Sequence, residues 1–274
     1  FHVVTSTFVF DSSAPITTVG LPKHQDMRSS LASLTGTMEE VPNGVAVTSS
    51  GIQGTELTIQ RLSPDDQYWT GSDWGAKTWL AASTVTATSW QMTSGLPVWN
   101  HGTTYWIVAR SSDKAANVES ISEVLVDSVS VTFDLSGSTI ALSNWISTNA
   151  AGPYYLNPTI TSINGTSLDT PADISTMTIA ISSSPSGTGS SWYNGTTFSN
   201  AFDINNVYFS TTSFIEGGSQ DNWGFAYPTL EHNKSYLLRV RARDRAAPFN
   251  QRIQNFSFTY DAFKPTATIT SPVN

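Results

Sequence analysis

The stretch TTYWIVARSSDKAANVES (103–120) decides the fold class, because an alternating apolar run is followed by a turn and a second short run. It aligns with KSYLLRVRARDRAAPFNQ (234–251) near the other end of the chain. The eight-residue separation is the same in the two copies, Tyr105 to Asp113 and Tyr236 to Asp244. Each copy predicts a long β-strand that ends in a D-x-A-A turn. Their shared order indicates an internal repeat.

A phrase around three aspartates marks the ends of the repeat. It reads TFVFDSSAPITTV at Asp11, EVLVDSVSVTFDL at Asp127 and SFTYDAFKPTATI at Asp261, each a strand, an aspartate, a short break and another strand. The spacings of 116 and 134 residues each suit one small β-sandwich. We therefore predict a closing strand of a preceding unit (1–11), two sandwiches (12–127 and 128–261) and the opening strand of a following unit (262–274).

Composition excludes several classes of function. A net charge of −8 argues against nucleic-acid binding, and we interpret the basic cluster RVRARDR (239–245) as a solvated strand face. The absence of cysteine excludes disulfides, thiol nucleophiles and iron–sulfur ligation. No apolar run approaches the ~18 residues of a membrane span. The first residues lack a charged signal region, so we expect any targeting signal to lie outside this segment.

The pattern of apolar residues predicts an all-β protein. Short runs with period-two alternation are separated by Gly, Pro, Asn and Asp, and no 12-residue window carries a helical stripe. Six or seven strands per unit indicate two-sheet sandwiches. We expect strands within 30–40, 55–62, 77–83, 88–93 and 104–111 of the first unit, and within 175–182, 205–211 and 235–242 of the second. The second unit is longer by 18 residues, and we expect much of this excess in a loop insertion within residues 144–173.

Two sets of residues resemble known families. WNHGTTY (99–105) and LEHNKSY (230–236) resemble the tyrosine corner of fibronectin type III and related immunoglobulin-like sandwiches. The phrases DSSAP, SDKAAN and YWTGSDW (68–74) resemble tandem immunoglobulin-like repeats of very large bacterial surface proteins. The second unit lacks the proline of DSSAP and keeps only a loose copy of YWTGSDW. This resemblance implies structural roles for Tyr105 and Tyr236, with Trp99 and Leu230 as core partners.

The sequence contains no recognisable catalytic motif. His24, His101 and His232 lie in turn-like contexts without metalloprotease or triad spacing. Asp65 and Asp66 are adjacent, so on a strand they would point to opposite faces, and a turn explains them better. We therefore predict that the chain is not an enzyme.

Calcium is the one cofactor that the sequence suggests. A hard cation binds six to eight oxygens, which a late turn and a linker between sandwiches can supply. The candidate pairs are Asp113 with Asp127 and Asp244 with Asp261, while Asp11 would serve a preceding unit. Glu39 and Glu40 are more distant candidates. The alternative is that each aspartate only caps backbone N–H groups of its turn, in which case the chain has no cofactor.

Nine tryptophans raise the possibility of sugar binding. Trp69, Trp74 and Trp79 are five residues apart, an odd interval that alternates the faces of one strand. Gly71 and Gly75 favour breaks in that strand, and packing into core and hairpin contacts is the favoured interpretation.

These observations predict a non-catalytic structural segment of a larger cell-surface or secreted protein: a spacer, stalk, adhesin or filament building block. The expected partners are neighbouring repeats of the same chain or identical subunits in a fibre, with cell-surface or polysaccharide contacts and no nucleic acid. The alternative is a carbohydrate-binding accessory module of an extracellular enzyme. In a third arrangement, unpaired end strands complete the sandwiches of neighbouring subunits.

Overall fold

The structure is a computed structural model of the 274-residue chain. It describes residues 10–41, 49–121, 127–143, 154–189, 191–201, 203, 208–210, 213–215, 220–268 and 270. Within these ranges the chain divides into two units. Unit 1 is Phe1–Ser136 with Ala246–Phe249, and unit 2 is Gly137–Arg245 with Asn250–Asn274. The described residues form strands, turns and bends but no helix, so none of them forms a helix that could cross a membrane.

The described residues of unit 1 form eleven strands in two sheets. They are β1 (Ile16–Leu21), β2 (Asp26–Arg28), β3 (Leu34–Glu39), β4 (Ile52–Arg61), β5 (Tyr68–Trp69), β6 (Trp74–Gly75), β7 (Leu80–Ala81), β8 (Thr84–Val85), β9 (Ser89–Met92), β10 (Thr104–Asp113) and β11 (Ser128–Phe133). One sheet has the order β1-β3-β9-β8 and the other β2-β11-β10-β4-β5-β6, with β7 also paired to β4. The pair β2–β11 is parallel. This is the strand order of an immunoglobulin-like sandwich.

The core of unit 1 is formed by alternate residues of both sheets, because successive side chains of a strand point to opposite faces. The side chains that β3, β4, β10 and β11 bury completely include Leu34, Leu57, Ile59, Ile107, Val131 and Phe133. Burying each such side chain stabilises the fold by about 1.5–3 kcal/mol. The alternation in the sequence therefore reports which face of each strand enters the core.

Unit 2 repeats the arrangement strand by strand. Its strands are β12 (Thr139–Leu142), β13 (Tyr154–Leu156), β14 (Ile163–Leu168), β15 (Ile174–Ser182), β16 (Trp192–Tyr193), β17 (Phe198–Asn200), β18 (Phe209–Ser210), β19 (Ser213–Ile215), β20 (Asp221–Phe225), β21 (Lys234–Asp244) and β22 (Gln251–Tyr260). The sheets have the orders β12-β14-β20-β19 and β13-β22-β21-β15-β16-β17, with β18 paired to β15. The parallel pair is β13–β22.

The predicted all-β, immunoglobulin-like fold is confirmed in both units. Each stretch that was expected to contain a strand contains one, although several are shorter than their apolar runs. Residues 77–83, for example, contribute only Leu80–Ala81, because the chain between β4 and β8 is divided into short strands. The alternating pattern thus located the strands better than it located their ends.

One boundary and one expected loop differ from the sequence-based expectation. Asp127 does not close unit 1, because β11 begins after it and pairs with β10; the division falls between Ser136 and Gly137. Residues 144–173 are not one inserted loop, since β13 and β14 lie within this range and pair with β22 and β20. The buried face of β14 consists of Ile163, Gly165 and Ser167, so it lacks the apolar alternation that marks β3 in the sequence.

The terminal strands were predicted in residues 1–11 and 262–274. Residues 1–9, 269 and 271–274 lie outside the described residues. The described part of the second range, residues 262–268 and 270, carries no strand assignment.

Candidate functional site

Each unit contains a tyrosine corner. The hydroxyl oxygen of Tyr105 accepts the backbone N–H of Asn100 at 3.0 Å, and that of Tyr236 accepts the N–H of Glu231 at 2.8 Å. Both rings are buried. In unit 1, Trp99 lies edge-on to Tyr105, with ring centroids 4.9 Å apart. The two corners therefore fix the loop that leads into β10 and into β21.

The partners on the far side of each corner differ between the units. The Trp99 ring stacks on Phe133 with ring centroids 4.5 Å apart, and its Nε1 donates to the Leu31 carbonyl at 3.1 Å. Leu230, at the matching position of unit 2, is buried in the core. A flat ring and a branched chain thus fill the same place in the two sandwiches.

The boundary phrase recurs at Asp11, Asp134 and Asp261. One carboxylate oxygen of each accepts the backbone N–H of the residue two positions later, at 3.1 Å in all three cases. This is the Asx turn that aspartate commonly forms. Asp127, chosen from the sequence as the middle copy, lies before the last strand of unit 1, and its carbonyl accepts the Ala109 N–H. The true repeat aspartate is therefore Asp134.

A histidine accompanies two of these turns. His101 Nδ1 accepts the N–H of Leu135 at 3.1 Å and lies 3.3 Å from Asp134 Oδ1. His232 Nδ1 accepts the N–H of Ala262 at 3.0 Å and lies 3.4 Å from Asp261 Oδ1. These contacts give both histidines a role in closing the boundary turn.

Asp113 and Asp244 end the long strands β10 and β21 and close the late turn. Asp113 accepts the backbone N–H of Asn117 at 2.8 Å and its side-chain amide at 2.7 Å. Asp244 makes the same two hydrogen bonds with Asn250, at 2.8 and 2.7 Å. The turn of unit 2 is two residues longer, yet it ends on an asparagine with the same geometry. The aspartate–asparagine pair is therefore the element that the two turns share.

In unit 1 three carboxylates converge between these turns. One oxygen from each of Asp11, Glu40 and Asp113 lies within 4.8 Å of the others. Asp11 and Asp113 are buried, at 7% and 1% exposure. The Ser50 N–H donates to Asp11 at 2.7 Å, and the Asn117 amide also donates to the Asp11 carbonyl at 3.0 Å. Three negative groups are thus held close together at one end of the sandwich.

Glu40 is the unusual member of this cluster. Both of its carboxylate oxygens are buried, and neither has a hydrogen-bond partner among the described residues. Burial raises the pKa of Glu40, and the charges of Asp113 and Asp11 raise it further, against a smaller opposing effect of Lys114. By contrast, backbone hydrogen bonds from Ser50 and Ser13 lower the pKa of Asp11. A proton or a cation would satisfy the Glu40 oxygens.

The structure rearranges the pairs expected from the sequence. Asp113 is grouped with Asp11 and Glu40 rather than with Asp127, while Glu39 is exposed. In unit 2 one oxygen of Asp244 lies within 4.8 Å of one of Asp169, and within that unit's described residues Asp261 is not in the group. Asp11 therefore contributes to unit 1 itself, whereas the sequence suggested that it would serve a preceding unit.

Asp169 was missed in the sequence, although a signal for it exists. The stretches LTGTMEE (34–40) and INGTSLD (163–169) share the dipeptide Gly-Thr, and each has an acidic residue three positions after the threonine. Glu40 and Asp169 each follow directly after the corresponding strand, β3 or β14. Aligning these two strands would have identified both residues as the same position of the repeat.

The three tryptophans considered for sugar binding do not form one row. Trp69 and Trp74 have ring centroids 5.4 Å apart and pack against the core of unit 1. Trp74 also contacts Tyr105, with centroids 5.8 Å apart. Trp79 instead lies under Arg110, whose guanidinium carbon is 3.8 Å from the ring centroid. The rings serve separate contacts within the unit.

The sheet order and the tyrosine corners define this chain as a pair of tandem immunoglobulin-like sandwiches. No protein-family model matches the chain, and no curated protein matches it. Solved structures with similar folds include the I-band fragment I67–I69 of titin, at 10% identity and a TM-score of 0.40 over 91% of this chain and 66% of that one. A tetra-tandem repeat from the extending region of a large adhesion protein is 14% identical, with a TM-score of 0.30 over 92% and 50%.

A third similar structure comprises three N-terminal domains of the Hoc capsid protein of bacteriophage RB49. It is 7% identical, with a TM-score of 0.38 over 92% of this chain and 71% of that one. This chain spans less than two thirds of the length of the titin and adhesion-protein structures.

Proposed function

We propose that this chain is a non-catalytic structural repeat segment of a larger cell-surface or secreted protein. The observation that carries this proposal is the strand-by-strand duplication of one sandwich, with the same corner, late turn and boundary turn in each copy. Repeats of this kind can be added in series without a change of fold, so they suit a spacer, a stalk or a filament. The adhesion-protein repeats to which this chain is similar are described as an extending region.

Mechanical extension of the full chain tests this role. Pulled between its two ends, each unit should unfold in its own cooperative event, because each has its own core. Since an extended residue spans at most about 3.5 Å, each event should lengthen the molecule by about 400 Å. Gradual extension without two such events would contradict the proposal.

We further propose that Asp11, Glu40 and Asp113 bind a divalent cation, with calcium as the expected ion. Calcium prefers carboxylate and carbonyl oxygens, and three carboxylates lie close together here. The Glu40 oxygens, buried and without a hydrogen-bond partner among the described residues, provide the main support. A bound cation would offset the repulsion among these charges and hold the end of β3, the late turn and the boundary turn together.

Calorimetric titration of the chelator-treated chain with calcium tests the cation site. Glu40→Gln should weaken binding and reduce the calcium-dependent rise in melting temperature of unit 1. Glu39→Gln is the matched control, since the neighbouring Glu39 side chain is exposed. If calcium gives neither heat nor a shift in melting, or if the two variants behave alike, the site does not bind the ion.

A further inference from the structure

The outer face of β21 carries three arginines at alternate positions, Arg239, Arg241 and Arg243. Residues two apart on a strand lie on the same face at intervals of about 7 Å. Each Nε atom donates to a neutral side chain: that of Arg239 to Asn255 at 3.0 Å, and that of Arg243 to Gln251 at 3.1 Å. These bonds fix the orientation of the side chains. We call Arg239, Arg241 and Arg243 the arginine row.

Unit 1 supplies an internal reference for the central member of the row. Arg110 holds the position in β10 that Arg241 holds in β21. Its guanidinium lies 3.8 Å from the Trp79 ring centroid and forms an ion pair with Glu56 at 2.5 Å. Glu56 is directly opposite Arg110 on β4. In unit 1, therefore, the guanidinium of Arg110 is held by an aromatic ring and by an ion pair with a carboxylate.

Unit 2 keeps the aromatic ring but replaces the carboxylate. The guanidinium of Arg241 lies 4.0 Å from the Tyr208 ring centroid, and its Nε donates to Thr178 Oγ1 at 3.0 Å. Thr178 is opposite Arg241 on β15, as Glu56 is opposite Arg110. Among the described residues, no carboxylate forms an ion pair with Arg241. A carboxylate supplied by a ligand would restore the arrangement of unit 1.

The surroundings of Arg241 support an anionic ligand. Burial lowers the pKa of Arg241, and the charge of Arg243 lowers it further. A negative group beside Arg241 would therefore relieve repulsion within the row as well as bind to it. The planar guanidinium can hold a carboxylate through two parallel hydrogen bonds.

We propose that the arginine row binds carboxylate groups of an acidic polysaccharide. Hydroxyl and amide side chains stand beside the guanidinium groups at Thr178, Asn255 and Gln251, and such groups hydrogen-bond to sugar hydroxyls. A nucleic acid requires many phosphate contacts across a broad basic surface, whereas this face offers a row of three arginines. A uronic-acid polymer combines carboxylates with neutral hydroxyl groups and matches both features of this face.

Binding of the full chain to polygalacturonate, measured by calorimetry with chelator present, tests the proposal. The chelator removes calcium, so the cation site cannot contribute by bridging protein and polymer. Arg241→Gln should weaken binding by about tenfold or more, since a charged hydrogen-bonding group is lost. Thr178→Glu should weaken it similarly, because it supplies the internal carboxylate that unit 1 has. Arg110→Gln is the matched control and should bind like the unaltered chain.

Each variant is first shown to keep its melting temperature, so that a loss of binding can be attributed to the altered side chain and not to unfolding. Neutral dextran should not bind, and polyglutamate should bind more weakly than polygalacturonate because it lacks sugar hydroxyls. Equal binding of polyglutamate, or tighter binding of a DNA oligonucleotide, would overturn the polysaccharide assignment. Unchanged binding by Arg241→Gln, or equal loss in Arg110→Gln, would overturn the assignment to the row.

Discussion

The indole of Trp90 lies directly over Gly36 on the neighbouring strand of unit 1. The two residues are partners in the pairing of β3 with β9, and Trp90 Nε1 donates to the Thr18 carbonyl at 3.1 Å. Unit 2 repeats the glycine–tryptophan pairing with Gly165 and Trp223, partners in the pairing of β14 with β20, although Trp223 Nε1 has no hydrogen-bond partner among the described residues. In both units the ring can occupy this position only because the opposite residue has no side chain.

Gly36→Ala should strongly destabilise unit 1. A β-carbon at this position would lie 2.5 Å from Trp90 Nε1 and closer still to the Thr18 carbonyl oxygen, so the backbone and the indole would both have to move. Overpacking of this kind costs about 1–3 kcal/mol. Thermal and urea unfolding followed by tryptophan fluorescence measures the loss. Gly54→Ala on β4 is the control, because a β-carbon there meets nothing within 4 Å; equal losses in the two variants would contradict the packing argument.

Tyr105→Phe should destabilise unit 1 by about 1–3 kcal/mol at neutral pH, because it leaves the Asn100 N–H without its acceptor. Tyr236→Phe should act in the same way on unit 2, through Glu231. Tyr155→Phe, at an exposed ring, serves as the control. Urea unfolding at pH 7 gives the free energy of unfolding of each variant. A loss of stability in Tyr155→Phe as large as in the two corner variants would contradict the structural role of the corners.

Alkaline pH should weaken both corners. Burial raises the pKa of Tyr105 and of Tyr236 above the ordinary value of 10.0. The folded state therefore holds the phenol proton more tightly than the unfolded state. This contribution to stability is complete below pH 10 and is lost as the pH rises through the raised pKa. The phenylalanine variants should lose less stability than the unaltered chain between pH 9 and about 12. If the free energy of unfolding falls with pH equally in the variants and the unaltered chain, the loss does not come from the corner tyrosines.

The strands could be predicted because burial on one face imposes a period of two on the sequence. Leu57 and Ile59 on β4 show this alternation clearly, and both are fully buried. β14 was missed, because its buried face carries Gly165 and Ser167 where that of β3 carries Gly36 and Met38, so only Ile163 marks the face as apolar. A residue selected by a cross-strand contact carries no periodic signal of its own.

The carboxylate cluster was only partly predictable for a related reason. Asp113 could be recognised from its turn motif, whereas Glu40 reaches the cluster from β3, distant in sequence. Asp127 was chosen instead of Asp134 because both are followed by an alternating run. The register of β11 against β10, which the sequence does not display, distinguishes the two.

A fragment of residues 10–136 should be more stable than one of residues 12–127. The shorter fragment lacks β11, whose Val129, Val131 and Phe133 are buried in the core of unit 1 and whose backbone pairs with β10. It also lacks Asp11, so the carboxylate cluster is incomplete. We expect a cooperative thermal transition for residues 10–136 and none for residues 12–127. Equal transitions in the two fragments would contradict the boundary at Ser136.

Glu56→Thr should create weak polygalacturonate binding in unit 1. The substitution gives Arg110 the opposite residue that Arg241 has, and it leaves the contact with Trp79 in place. The gain should be measured in the Arg241→Gln background, so that the arginine row contributes little. It should remain weaker than the affinity of the unaltered chain, because Val108 and Ser112 flank Arg110 where the row has two further arginines. Full recovery of affinity would show that one unpaired arginine suffices, and would contradict the role of the row.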